Sequence, residues 1–199
     1  MEEFFTNNFR YRKEPVSMII VHSMGEYIGE KFAPEYLESL RLSSDYYILP
    51  NGDIIQGNES PKELYTFHAN EIKWDEKTNL NTCSVGIQLL IEGRYHKGSI
   101  KEAIKNPQSF TDNHYQSLDM ICSQLMKQFP LITTDRILEE SMVKDDLESG
   151  WDHDRFINGI NEKLERKYLK PEVTIDPEDK VSLWDKTKKK LKKCKRIIF

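Results

Sequence analysis

Apolar residues gather in short blocks along this chain. Residues 16–22 (VSMIIVH) form one block, the length of a buried strand and closed by a histidine. Residues 34–42 set Leu37, Leu40 and Leu42 among polar neighbours and read as a helix. Residues 45–50 (DYYILP) predict a second strand, Asn51-Gly52 a turn, and residues 53–56 (DIIQ) a third strand. Strand, Asn-Gly, strand is a hairpin pattern, because both turn positions accept positive φ. Residues 83–91 (CSVGIQLLI) are apolar on both faces and predict a central strand. Thr111 caps a helix over 111–129, in which Tyr115, Leu118, Ile121, Cys122, Leu125 and Phe129 recur at helical spacing. Ile137 and Leu138 predict a short strand entry. A last helix spans 154–168 with Phe156, Ile160 and Leu164 four apart, and Pro171 ends it. Strands and helices mixed in this order predict an α/β fold with a mixed central β-sheet flanked by helices.

Charge divides the chain more sharply than hydropathy does. The 199 residues carry 29 basic and 33 acidic side chains, a net charge of -4. From Lys186 onward there are eight basic residues and no acid, so residues 1–185 carry 21 against 33, or -12. The acidic body argues against nucleic-acid binding. The division predicts a body over 1–168, a linker over 169–182 with Pro171 and Pro177, and a basic amphipathic tail over 183–199. Leu183, Trp184, Leu191, Cys194 and Ile198 fall near one helical face of that tail. This pattern suits an anionic membrane surface, with nucleic acid or an anionic cell-wall polymer as rival partners; a solvated, disordered tail is the plainer reading. Cys83, Cys122 and Cys194 form neither a disulfide framework nor a CxxC metal motif. With no apolar leader at the start, the expected location is cytoplasmic, or a phage-type protein released by another route.

Five histidines are the first candidates for chemistry. His22 ends an apolar strand, where crevices open and a ligand or base is useful; a solvent-facing strand end is the bland alternative. His68 lies in Phe67-His68-Ala69-Asn70, a polar loop after aromatics. His114 falls on the amphipathic helix and reads as a surface residue. His96 carries no signal. His153 sits between Asp152 and Asp154, which either orient it or favour a helix N-terminus. No HExxH motif or Cys/His cluster marks a metal by spacing alone.

The order of motifs says more than any one of them. The chain reads IIVHSMG, SSDYYILPNGDIIQ, FHAN, NTCSVGIQLL, SFTDNHYQSL, DRILEES and ESGWDHDRF. Over about residues 15–160 this resembles the N-acetylmuramoyl-L-alanine amidase family, which includes the peptidoglycan recognition proteins and amidase-type phage lysozymes. The resemblance implies that fold, a groove for muropeptides, and zinc held by two His and one Asp or Cys. It implies a zinc-bound water activated toward the lactyl amide between N-acetylmuramic acid and L-alanine, with a Glu as base and a Lys or Tyr at the oxyanion. By that resemblance His22 matches the first metal ligand, His68 the His of the His-Ala-Gly motif, and Asn81 the Asn before Ser-Ile-Gly. Tyr46 stands at the His of Ser-Ala-His-Tyr, Gln88 at the catalytic Glu, and Glu140 at the second His ligand. Glu148 stands at the third ligand and Asp146 at the catalytic Lys, with Lys144 the nearest lysine. His68, Tyr46 and Asn81 are thereby expected to meet substrate, with Tyr47 and Trp74 as further walls or, for Tyr47, core. The expected metal set is His22, Glu140 and Glu148.

The departures have physical weight. A Gln amide is not basic near neutral pH, so Gln88 keeps the shape of a Glu without its proton chemistry. Two carboxylates with one imidazole hold zinc in some hydrolases, but they raise the pKa of bound water, and Asp146 would repel an oxyanion. The expectation is a degenerate amidase that binds peptidoglycan fragments without cleaving them, its zinc site empty or weak. A working metal-dependent amidase is the alternative, and reuse of the fold as a protein-interaction module is a third.

Overall fold

A computed structural model describes residues 2–3, 8–27, 43–69, 74, 77–92, 106, 109–143 and 150–168. The expected helix at 34–42, Lys144, Asp146, Glu148, the linker and the basic tail lie outside these residues. The chain divides into two compact units, Met1–Asn161 and Glu162–Phe199. All site residues described below belong to the first.

The described strands are β1 (Glu2–Glu3), β2 (Phe9–Tyr11), β3 (Met18–Tyr27), β4 (Tyr46–Ile48), β5 (Ile54–Gln56), β6 (Leu64–Thr66), β7 (Ser84–Glu92) and β8 (Ile137–Glu139). The described helices are α1 (Asp112–Gln128), α2 (Glu140–Val143) and α3 (His153–Tyr168). Six strands form one sheet in the order β1-β5-β4-β7-β3-β8, and β2 pairs with β6 in a second, two-stranded sheet. Strands β4, β7, β3 and β8 run parallel, whereas β4 and β5 are the antiparallel arms of the Asn51-Gly52 hairpin. Gly52 has φ 89°, which a residue with a Cβ rarely adopts.

The central strand behaves differently from its sequence pattern. β7 is buried on both faces, but only its odd positions, Val85, Ile87 and Leu89, are apolar throughout. Ser84, Gly86 and Gln88 share the other face, because side chains alternate along a strand. In register with them stand Ile20 and His22 of β3, and Tyr47 of β4 is level with Gln88. That face is apolar at its lower end, where Met18, Ile20, Ala69, Leu80 and Cys83 pack together with Trp74 and Val143 against them. It turns polar toward the strand ends.

Helix α1 starts at a capping box. The Thr111 hydroxyl accepts from His114 N–H, and His114 Nδ1 accepts from Thr111 N–H at 3.1 Å. The far nitrogen, Nε2, donates to Leu90 O at 3.0 Å. His114 is therefore buried and not a surface residue, because its imidazole joins the helix start to β7. Leu118, Ile121, Cys122 and Leu125 are buried along the same helix, as their spacing predicts. His153 opens α3 and donates from Nε2 to Ile137 O at 2.7 Å.

Candidate functional site

Three sequence-distant residues meet at the polar end of the sheet face. β3 carries His22 to the point where its pairing with β7 shifts register, between His22 and Gly25. Such an irregularity re-aims the strand beside a site. β8 runs into α2 without a loop, and Glu140 is the first residue of that helix. Its carboxylate lies on His22, with Nδ1 to Oε2 at 2.8 Å and both groups buried. The other nitrogen of His22, Nε2, faces Nδ1 of His68 at 3.1 Å. His68 is held over Gly86, where a Cβ would run into its ring. A glycine at this position of β7 is thus a requirement of the histidine above it.

The surroundings fix the state of His68. Its Nε2 lies 3.2 Å from Ser84 Oγ and 3.9 Å from the Asp45 carboxylate. Burial drives its pKa well below the ordinary value, with His22 and Arg12 pushing the same way and Ser84 opposing. His68 is accordingly a neutral imidazole. Ser84 Oγ donates to Leu80 O, so it meets His68 as an acceptor: the neutral His68 carries its proton on Nε2, and its Nδ1 accepts from His22 Nε2–H. Asp45 is fully buried. It accepts from Asn58 Nδ2 at 2.5 Å and from Gly86 N–H at 2.7 Å. Burial pushes its carboxyl up, while the Arg12 charge and these donors pull it down.

Comparison with known proteins follows from this geometry. The family model described as N-acetylmuramoyl-L-alanine amidase matches residues 12–157. The chain belongs to this amidase family. A selenomethionine derivative of AmpD is 21% identical with TM-score 0.57, covering 78% of this chain and 91% of AmpD. AmpD from Citrobacter freundii is 20% identical with TM-score 0.55, covering 81% and 91%. AmpDh3 from Pseudomonas aeruginosa, solved in complex with anhydromuramic pentapeptide, is 15% identical with TM-score 0.53, covering 80% and 71%. These likenesses establish the mixed α/β fold of the amidase. Among curated protein sequences none matches the chain.

Within the amidase domain the candidate residues distribute unevenly. His22, His68 and Glu140 are together. Gln88 is level with His22 on the adjacent strand, 2% exposed, and its Oε1 accepts from Ser44 Oγ at 3.4 Å. Asn81 is buried, and its Oδ1 accepts from Ala69 N–H at 2.6 Å, holding the loop that carries His68. Tyr46 pairs with Ile87 and so sits on the opposite face from His22 and Gln88. Asp45, one residue earlier, is the one that reaches His68. A one-residue step reverses faces in a strand, so Tyr46 points away from the face that carries His22 and Gln88. Tyr47 is on the site face, but it is core, 1% exposed, with its hydroxyl accepting from Ser44 N–H at 2.9 Å. Trp74 packs against the apolar cluster beneath the site. Arg12 and Asp45 are the buried or half-buried charged neighbours that the motif reading passes over. The signal available for Asp45 was its place before two tyrosines at the start of a buried strand.

Zinc is the cofactor that this fold implies. Tetrahedral ligands about 2.0–2.2 Å from zinc stand roughly 3.3 Å from one another. His22 Nδ1 and Glu140 Oε2 are 2.8 Å apart, a hydrogen-bond separation, and His22 Nε2 is turned onto His68. Among the described residues no three His, Cys, Asp or Glu side chains could hold a metal. Imidazole and carboxylate are suitable donor types, but as they stand the described residues do not fit the ion.

Proposed function

We propose that this amidase domain binds peptidoglycan fragments without hydrolysing them. The observation that carries the reading is the state of His22. Both of its ring nitrogens are occupied by protein partners, Glu140 and His68, in a site whose neighbouring strand offers Gln88. A metal ligand needs a free lone pair, and a general base must accept a proton from water. As arranged here, both nitrogens of His22 are engaged, and the Gln88 amide is not basic.

Binding asks less of the same residues. The muramyl-peptide amide group presents one N–H and one carbonyl, and Gln88 has both a donor and an acceptor to meet them. His68, neutral and fixed from the side of Ser84, lies beside it. The AmpDh3 complex with anhydromuramic pentapeptide supports a ligand of this class on this fold.

The test pairs calorimetry with mass spectrometry on one sample. Muramyl-L-alanyl peptide is titrated into the full chain with and without added zinc, and the ligand is then recovered and weighed. The expected result is saturable binding, weakened in His68→Ala, with the ligand recovered intact in both conditions. Release of the stem peptide in zinc, lost in His22→Ala, would replace this reading with that of a working metal-dependent amidase. Absence of any binding would leave the amidase fold serving another partner.

A further inference from the structure

Arg12 lies outside the cluster, just after β2, in a basic stretch (Arg10-Tyr11-Arg12-Lys13) that reads as surface. The structure draws its side chain inward. The backbone N–H of Arg12 donates to Glu63 O at 2.7 Å, continuing the β2–β6 pairing. The guanidinium then spreads over four carbonyls. Nε donates to Pro61 O at 2.8 Å, Nη1 to Asn81 O at 2.9 Å and Thr82 O at 2.8 Å, and Nη2 to Ser84 O at 2.5 Å. Three of these acceptors belong to one short segment, the 3₁₀ turn Leu80–Thr82 and the start of β7.

That segment makes two contacts that orient His68. Asn81 Oδ1 holds the N–H of Ala69, the residue after His68, at 2.6 Å. Ser84 Oγ meets His68 Nε2 at 3.2 Å. The segment also holds itself through Thr82 Oγ1 to Asn79 O and Ser84 Oγ to Leu80 O, but no side chain caps its N-terminus, and Arg12 is the group that gathers its outward carbonyls. A guanidinium is suited to this task because its donors lie in a rigid planar fork. An ammonium has three donors about one point and cannot span the same carbonyls.

We propose that Arg12 is a positioning residue for His68, acting through the 80–84 segment. Arg12 fixes the carbonyls of the turn, the turn fixes Asn81 and Ser84, and these set the position and tautomer of the imidazole that faces His22. The inference deepens the binding reading above, since it names what holds His68 in the ligand site.

The full chain is the test object, with Arg12→Lys as the variant and Arg155→Lys, at the surface, as control. The primary readout is the ring ¹⁵N–¹H correlation spectrum of His68, which reports which nitrogen carries the proton. A single tautomer is expected in the wild type and in Arg155→Lys, and a shifted or mixed pattern in Arg12→Lys. Affinity for muramyl-L-alanyl peptide should fall about tenfold or more in Arg12→Lys, as for loss of charge-assisted hydrogen bonds in a binding site. A folded Arg12→Lys with an unchanged His68 spectrum overturns the proposal, whatever its melting temperature, because a merely stabilising arginine would leave the ring alone. Should Arg12→Lys fail to fold, Asn81→Ser decides: it releases Ala69 while keeping every carbonyl that Arg12 uses. An unchanged His68 spectrum there breaks the route from turn to ring. If the wild type binds no muramyl peptide, the binding reading fails by itself, and the His68 spectra still judge Arg12.

Discussion

At the scale of single residues, the unusual feature of this chain is how many polar side chains are buried and satisfied by a neighbour. His114 is the cleanest case. Burial lowers its pKa, and the hydrogen bond to Leu90 O only partly opposes this. A histidine lowered in the folded state binds fewer protons there than in the unfolded chain, where it titrates near 6.5. Its neutral form therefore supports the fold fully above that pH, and the support fades as pH falls through the unfolded value toward the folded one. Comparing wild type with His114→Gln isolates this contribution. The stability advantage of the wild type should be greatest near pH 7.5. It should shrink by up to about 1.4 kcal/mol per pH unit below 6.5. Urea unfolding at pH 7.5 and 5.5 checks it, and a constant difference between the two proteins would count against a buried neutral ring. The sequence placed His114 on the right helix with the wrong exposure. As the N3 partner of Thr111 it does the work that Glu or Gln does in the usual capping box, accepting from the N-cap N–H.

Among the elements, helix α1 shows how a local signal and a long-range contact coincide. Thr111 caps the helix, and its hydroxyl also reaches Pro50 O at 3.0 Å, just before the Asn51-Gly52 turn. Ser117 Oγ donates to Gly52 O at 2.5 Å, one turn and a half further along the helix. The hairpin is thereby tied to the helix at two points, one at its positive-φ glycine and one two residues before it. Thr111→Ala should cost about 1 kcal/mol, the usual loss of a cap. For a chain of this size that is roughly a 2–4 °C fall in Tm, measurable by calorimetry. Strands and helices with clear periodicity, β3, β7, α1 and α3, were legible in the sequence, as was the hairpin. The short strands β2 and β6 were not, because three residues of mixed polarity carry no period. Their pairing matters all the same, since it delivers Arg12 to the 80–84 turn. The polar face of β7 was also hidden. In CSVGIQLLI the small Ser84 and Gly86 look like neutral members of an apolar run, and only the imidazole lying over them shows what their size is for.

For the whole molecule, the proposed binding role separates fold from chemistry. The sheet order and parallel core place His22, His68 and the start of α2 together, and the amidase scaffold was readable from the order of motifs. The chemistry was readable only in part, since Glu140 answers His22 with a hydrogen bond that no motif specifies. The separation has a thermodynamic consequence for the intact chain. An ion that binds the native state and not the unfolded one stabilises by about 2.7 kcal/mol at a hundred times its Kd. For a protein of this size that is a rise in Tm of roughly 5–10 °C. With His22 engaged at both nitrogens, zinc would have to break the bond to Glu140 before binding, which reduces its affinity. Zinc at micromolar to submillimolar concentration should therefore leave Tm unchanged, in the wild type and in His22→Ala alike. A zinc-dependent rise of several degrees in the wild type, abolished by His22→Ala, would mean that the metal displaces the hydrogen-bonded pair and that the family's chemistry is within reach of this chain.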